Sequence, residues 1–117
     1  MRKANYKGRC TKRKLSKCKD ICRTYSDLQL TYSQLLEESE DIAEIRCNVP
    51  LEGLPEGDYT SDFVCRTTDG DLIVRECVER KHLTKPLTVK LLDASRNYWQ
   101  NHGVIGKAWG IVTDAEK

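Results

Sequence analysis

The chain has 117 residues, 32% of them charged and 38% hydrophobic, with a net charge of +2. That length supports one domain with a real core and excludes two. No stretch is long and apolar enough to span a bilayer, and the basic N-terminus lacks the apolar segment of a secretory signal. Cytoplasm is therefore the expected compartment, and a membrane is not an expected partner.

The small net charge hides an asymmetry. Residues 1–24 carry ten Lys or Arg against Asp20 alone, whereas residues 25–117 carry ten against seventeen acids. A basic arm (1–24) ahead of an acidic body (25–117) points to a polyanionic partner, DNA foremost. Arg2, Lys3, Lys7, Arg9, Lys12, Arg13, Lys14 and Lys17 are the candidate phosphate contacts; a solubilising tail is the plainer alternative. The six cysteines are expected as thiols. Cys10, Cys18 and Cys22 crowd the arm, but their spacing, seven residues and then three, matches no common zinc module. A fourth ligand would have to come from Cys47 or a distant His, so structural zinc is not expected. Cys65 and Cys77 read as small apolar core residues.

In chain order, the first element is a helix beginning near Ser26, which forms a capping box with Gln29. Leu28, Tyr32, Leu35 and Leu36 share one side of it. Ile45, Cys47 and Val49 alternate as a short strand closed by Pro50. A Gly/Pro loop over 51–58 leads to two strands joined at Asp69-Gly70, a hairpin signal. After a polar link at 79–82, Thr84 is the expected cap of a second helix with Pro86 in its first turn. Leu87, Leu91, Ala94 and Tyr98 form its stripe, Leu92 and Trp99 widen it, and Gly103 stops it. Residues 108–113 read as a last, buried strand, parallel to the second strand of the hairpin because a helix separates the two.

The hairpin carries the chemistry. Asp62 and Glu76 lie within apolar strands, where a carboxylate costs free energy unless it holds a proton, a cation or a partner. Two carboxylates on paired strands can hold a hard cation such as Mg2+ or Mn2+; edge-strand charges facing water are the bland reading. His82 reads as a surface residue and His102 as a carbonyl cap. Tyr98, Trp99 and Trp109 read as core rather than as stacking platforms for bases.

The helix, three strands, helix, strand order resembles the αβββαβ core of restriction-endonuclease-like, PD-(D/E)XK nucleases. That is an α/β fold with a mixed central sheet flanked by helices. Its hairpin presents Asp, then Glu, Asp or Gln, a spacer and Lys; the acids bind magnesium and the Lys orients the attacking water. The segments SDLQL (26–30), EIR (44–46), TSDFV (60–64), DG (69–70), RNYWQ (96–100) and TD (113–114) together resemble the N-terminal domain of TnsA-type transposon endonucleases. The likeness covers most of residues 25–116. It implies a DNA-directed protein related to transposon-end strand cleavage, with a transposase or regulatory protein as partner.

The resemblance implies metal contacts at Asp62, Glu76 and Gln29, and Gln29 and Val78 depart from the family's pattern. Gln29 stands where the family has a helical Glu, and Val78 stands where it has the motif lysine. Losing one such transition-state contact costs about two to three orders of magnitude in rate. Lys81, with Arg80 and Lys85 nearby, is the candidate for returning a cation, which makes Asp62, Glu76 and Lys81 the expected catalytic set. Weakened or lost metal-dependent phosphodiester hydrolysis follows. The alternative is a non-catalytic protein that uses the nuclease fold to bind a transposase, a regulator or another nuclease.

Overall fold

Six strands and two α-helices, with two short 3-10 turns at Arg80–His82 and Gly106–Ala108, follow one another in the computed structural model, which describes residues 10–54 and 59–114. They are β1 (Thr11–Arg13), β2 (Cys22–Thr24), α1 (Asp27–Glu38), β3 (Ile42–Leu51), β4 (Tyr59–Thr67), β5 (Leu72–Cys77), α2 (Pro86–Gln100) and β6 (Trp109–Val112). The last six give the expected order of helix, three strands, helix and strand. β3, β4, β5 and β6 form one mixed sheet in that order, antiparallel except for the parallel pair β5 and β6. The crossover through α2 accounts for that pairing.

Alternation along the strands sends side chains to two separate cores. Phe63, Cys65 and Ile45 pack with Leu36 of α1; Val64 and Val74 pack with Ala94 and Trp99 of α2. The helices therefore cover opposite faces. No helix among the described residues is long and apolar enough to cross a membrane.

Local signals explain most boundaries. Ser26 Oγ accepts the Gln29 N–H at 3.2 Å, capping α1. The Gln29 side chain reaches one residue further back than in an ideal box, accepting the Tyr25 N–H at 2.7 Å. The Asp69-Gly70 turn closes with the Gly70 N–H on Thr67 O, Gly70 having φ +90°. Gly103, at φ +88°, ends α2, and the Val104 N–H returns to Trp99 O at 2.8 Å.

Four expectations need correction. Pro50 does not close β3, which runs ten residues from Ile42 to Leu51; β3 is an edge strand, where a missing N–H costs no ladder bond. The N-cap of α2 is Lys85 rather than Thr84, with Pro86 supplying the preset first turn. Leu87 and Leu35 are exposed, because each helix buries a narrower stripe than its leucines suggest. β6 is only partly buried, with Ile111 exposed, because it lies at the other edge of the sheet.

The arm is not a mere appendage from Cys10 onward. β1 and β2 pair as an antiparallel ribbon, and Leu15 and Cys22 are buried in the α1-side core. Glu37 of α1 accepts the Ser16 N–H at 2.8 Å, the Ser16 hydroxyl at 2.9 Å and the Lys17 N–H at 3.2 Å. Lys17 Nζ donates to Leu36 O and Ser39 O, so this cation caps the C-terminus of α1. The Ile45 N–H donates to Lys17 O at 3.0 Å, tying the ribbon's loop to β3.

Candidate functional site

The sheet breaks its alternation at one level. Cys47 pairs with Phe63 and Val49 with Ser61, but Cys47 and Phe63 serve the α1-side core while Val49 packs on the α2 side. Ser61 likewise meets α2, accepting the Trp99 indole N–H at 2.9 Å. Between these pairs stand Asn48, in the left-handed region at φ 54°, and Asp62. Asn tolerates that conformation better than a bulky residue. The face switch places Asp62 where β4 passes from one core to the other.

Asp62 and Glu76 meet at this level, and both are buried, at 2% and 0% exposure. Their carboxylates replace ladder bonds between the strands. The Asp62 N–H donates to Glu76 Oε1 at 2.8 Å, and the Cys77 N–H donates to Asp62 Oδ2 at 2.7 Å. The remaining oxygens turn to opposite helices. Gln29 Nε2 of α1 donates to Asp62 Oδ1 at 3.1 Å. Ser61 Oγ and Ser95 Oγ donate to Glu76 Oε2 at 2.8 and 2.6 Å, Ser95 lying on α2.

Two indoles fix the direction of those hydroxyl protons. Trp99 Nε1 donates to Ser61 Oγ, and Trp109 Nε1 donates to Ser95 Oγ at 3.1 Å, so each hydroxyl is left to donate to Glu76. Burial, and then the charge of Asp62, push the Glu76 pKa above the ordinary carboxylate range. The Ser95 hydroxyl and the Asp62 N–H pull against that shift. All four carboxylate oxygens thus accept hydrogen bonds from the protein. Among the described residues, the one buried side-chain polar atom without a partner is Gln34 Oε1.

The arrangement brings Gln29, Asp62 and Glu76 together, as the resemblance implies, and leaves Lys81 outside. Lys81 is exposed and pairs with Glu79 at 3.5 Å. Arg80 and Lys85 are also exposed. Val78 is buried and, with Gln29, Glu79 and His82, borders a cleft of about 190 Å³. A hard divalent cation requires several oxygens turned into one open space. Here the two carboxylates face different helices, and the nearest neutral group offers Asp62 an N–H donor rather than an oxygen to a cation. These residues do not fit a magnesium or manganese centre.

Ser61, Ser95, Trp99 and Trp109 were not legible as partners of the acids. Ser95 did carry a signal: it falls between Leu91 and Trp99 at four-residue intervals, a polar residue on an apolar stripe. His102 Nδ1 lies 2.7 Å from Tyr98 O and its ring stacks on Tyr98, as expected of a helix-end cap.

Of the basic candidates, Arg2, Lys3, Lys7 and Arg9 lie outside the described residues. Lys12 and Lys14 are exposed, and Lys12 pairs in register with exposed Arg23 across the ribbon. Arg13 is half-buried, and Lys17 is committed to the α1 carbonyls.

The structure also gathers three thiols that spacing alone did not connect. Cys18, Cys22 and Cys47 place their sulfurs within 4.8 Å of one another, with Cys10 outside the group. Hydrogen bonds from Cys22 and then Cys47 pull the Cys18 thiol down to about 4; the contact with Cys18, joined by burial and opposed by the contact with Cys47, pushes Cys22 up to about 12. No protein-family model matches the chain, and no curated protein matches it.

Proposed function

We propose that this chain is a TnsA-like, restriction-endonuclease-like DNA-binding protein in which the former phosphodiester-cutting centre has become an internal staple. The observation that carries this reading is the Gln29 amide on Asp62, within a cluster whose four carboxylate oxygens are all engaged. In a metal centre, a cation would neutralise the two acids. Here amide, hydroxyl and main-chain N–H donors occupy the carboxylate oxygens, and charge-assisted hydrogen bonds of this kind contribute about 1.5–3 kcal/mol each. Buried Val78 supplies no charge to a developing phosphorane.

The αβββαβ order and the parallel β5–β6 pair support the nuclease ancestry. DNA contact rests on the ribbon, where Lys12 and Arg23 stand opposite each other in solvent. Such cations give sequence-independent affinity through counterion release. Plasmid nicking with Mg2+ or Mn2+, run beside a salt-titrated duplex-binding assay, tests the proposal. Expected are tight binding at low salt and no nicking; nicking abolished by Asp62→Ala would overturn the non-cutting reading, and absence of binding at low salt would overturn the DNA-directed one.

A protein-partner reading has one observation in its favour. Exposed Leu35 borders a groove of about 450 Å³ between α1 and the chain just after β6. Transposase, regulator or nuclease binding there, without DNA affinity, is the competing outcome of the same assay.

A further inference from the structure

The three thiols come from separate parts of the chain. Cys18 lies in the loop between β1 and β2, Cys22 opens β2, and Cys47 belongs to β3. Contacts on both sides hold these segments together independently of the sulfurs. The Ile45 N–H donates to Lys17 O, and Asn48 Nδ2 donates to Arg23 O at 2.7 Å. The left-handed turn at Asn48 thus both serves the face switch beside Asp62 and fixes the strand that carries Cys47.

The sulfur geometry asks for a binding partner. Cys18 Sγ lies 4.0 Å from Cys47 Sγ, and Cys22 Sγ lies 2.7 Å from Cys47 Sγ. A Zn–S bond of about 2.3 Å puts tetrahedral sulfurs roughly 3.8 Å apart, close to the Cys18–Cys47 separation. The Cys22–Cys47 separation is shorter than that spacing, so a bound zinc would part these two sulfurs by about 1 Å. A disulfide would use two sulfurs and leave the third idle. A soft or borderline cation uses all three.

We propose that Cys18, Cys22 and Cys47 bind a zinc ion that locks the β1–β2 ribbon onto β3. Cys10 is not a ligand: the register pairs Thr11 with Thr24 and Arg13 with Cys22, so Cys10 lies beyond the far end of the ribbon. Water completes the coordination from a cleft of about 840 Å³ bordered by Cys18 and Cys47. Three thiolates with one Zn2+ carry a net charge of −1, which Arg13, whose charge acts on Cys22, partly offsets. The site is independent of the Asp62–Glu76 cluster, and it orders the ribbon that presents Lys12 and Arg23.

Metal content and cobalt substitution of the 117-residue chain test this. Protein reduced, stripped and reconstituted with ZnCl2 is expected to hold about one zinc per chain. Its Co2+ form is expected to show thiolate-to-cobalt charge-transfer bands and tetrahedral d–d bands. Cys47→Ser or Cys18→Ser should weaken zinc binding more than about 100-fold, beyond the 10–100-fold typical of outer partners. Cys10→Ser and Cys65→Ser should retain zinc. Because a ligand variant could lose zinc by unfolding, the cobalt spectrum of the unmutated chain decides independently. Absence of its thiolate bands, equal zinc loss in Cys10→Ser, or a Cys22–Cys47 disulfide persisting in reducing buffer would overturn the proposal.

Discussion

The Gln29 side chain bridges two parts of the fold, accepting the Tyr25 N–H with Oε1 and donating from Nε2 to Asp62 Oδ1. Helix start and sheet interior are thereby joined through one amide. Its orientation follows from this: the oxygen must face the N–H, which leaves only N–H donors for the carboxylate.

Gln29→Glu replaces a donor with a third carboxylate beside two buried ones. Loss of the donor alone leaves a buried acceptor short and costs about 1–3 kcal/mol, and like-charge repulsion adds to that. The variant should therefore melt well below the unmutated chain at neutral pH. Added Mg2+ should recover part of the loss in the variant and leave the unmutated melting temperature unchanged. A magnesium-dependent rise in the unmutated protein that Asp62→Ala abolishes would contradict the staple.

Glu76 sets a pH dependence of definite sign. Its folded pKa lies above the ordinary 4.5, first from burial and then from Asp62. A raised folded pKa means that the folded state binds the proton more tightly. Its contribution to stability is therefore fully present below the unfolded value and is lost as the pH rises from 4.5 through the raised one. Urea titrations at several pH values should show stability falling over that window relative to Glu76→Gln, in which the component is absent. Parallel pH profiles for the two proteins would refute the assignment.

Ser95→Ala removes the hydroxyl between Glu76 and the Trp109 indole. The expected cost is about 1–3 kcal/mol, since a buried carboxylate and an indole N–H each lose a partner. Ser61→Ala does the same on the Trp99 side. The double variant should be non-additive by at least about 0.5 kcal/mol in denaturant melts, because both hydroxyls serve one oxygen. Strict additivity would mean that they act separately.

The basic residues divide into two kinds. Lys12→Ala with Arg23→Ala should reduce the salt dependence of duplex binding by about 1.8 in log–log slope, near 0.9 per phosphate contact. Their stability should stay within about 0.5 kcal/mol of the parent, as for exposed positions. Lys17→Ala should show the reverse: lower melting temperature from the uncapped α1 carbonyls and an unchanged slope. A large slope change in Lys17→Ala would return it to the DNA contacts.

Much of the scaffold was legible because its signals are local. Ser26 and Gln29 mark a helix start, Asp69-Gly70 a hairpin turn and Gly103 a helix stop, each through backbone requirements that neighbours alone impose. The αβββαβ order and the parallel last strand follow from the same periodicities and from chain connectivity. The sequence also singled out Asp62 and Glu76 as acids too deep to be idle, and placed Gln29 within their reach by resemblance.

What those acids do was decided by tertiary structure. The face switch at Asn48 and Asp62 depends on two strands breaking alternation at the same level, and no single-strand pattern encodes that agreement. Ser61 and Ser95 lie 34 residues apart in the chain and meet only on Glu76 Oε2. The same holds for the thiols: the spacing of Cys10, Cys18 and Cys22 matched no common zinc module and named Cys47 only as a possible further ligand, and it is the docking of the ribbon on β3 that gathers Cys18, Cys22 and Cys47 and leaves Cys10 outside. Local propensities specify elements, but hydrogen-bond partners and the neighbours of each thiol are set by which elements come to lie side by side.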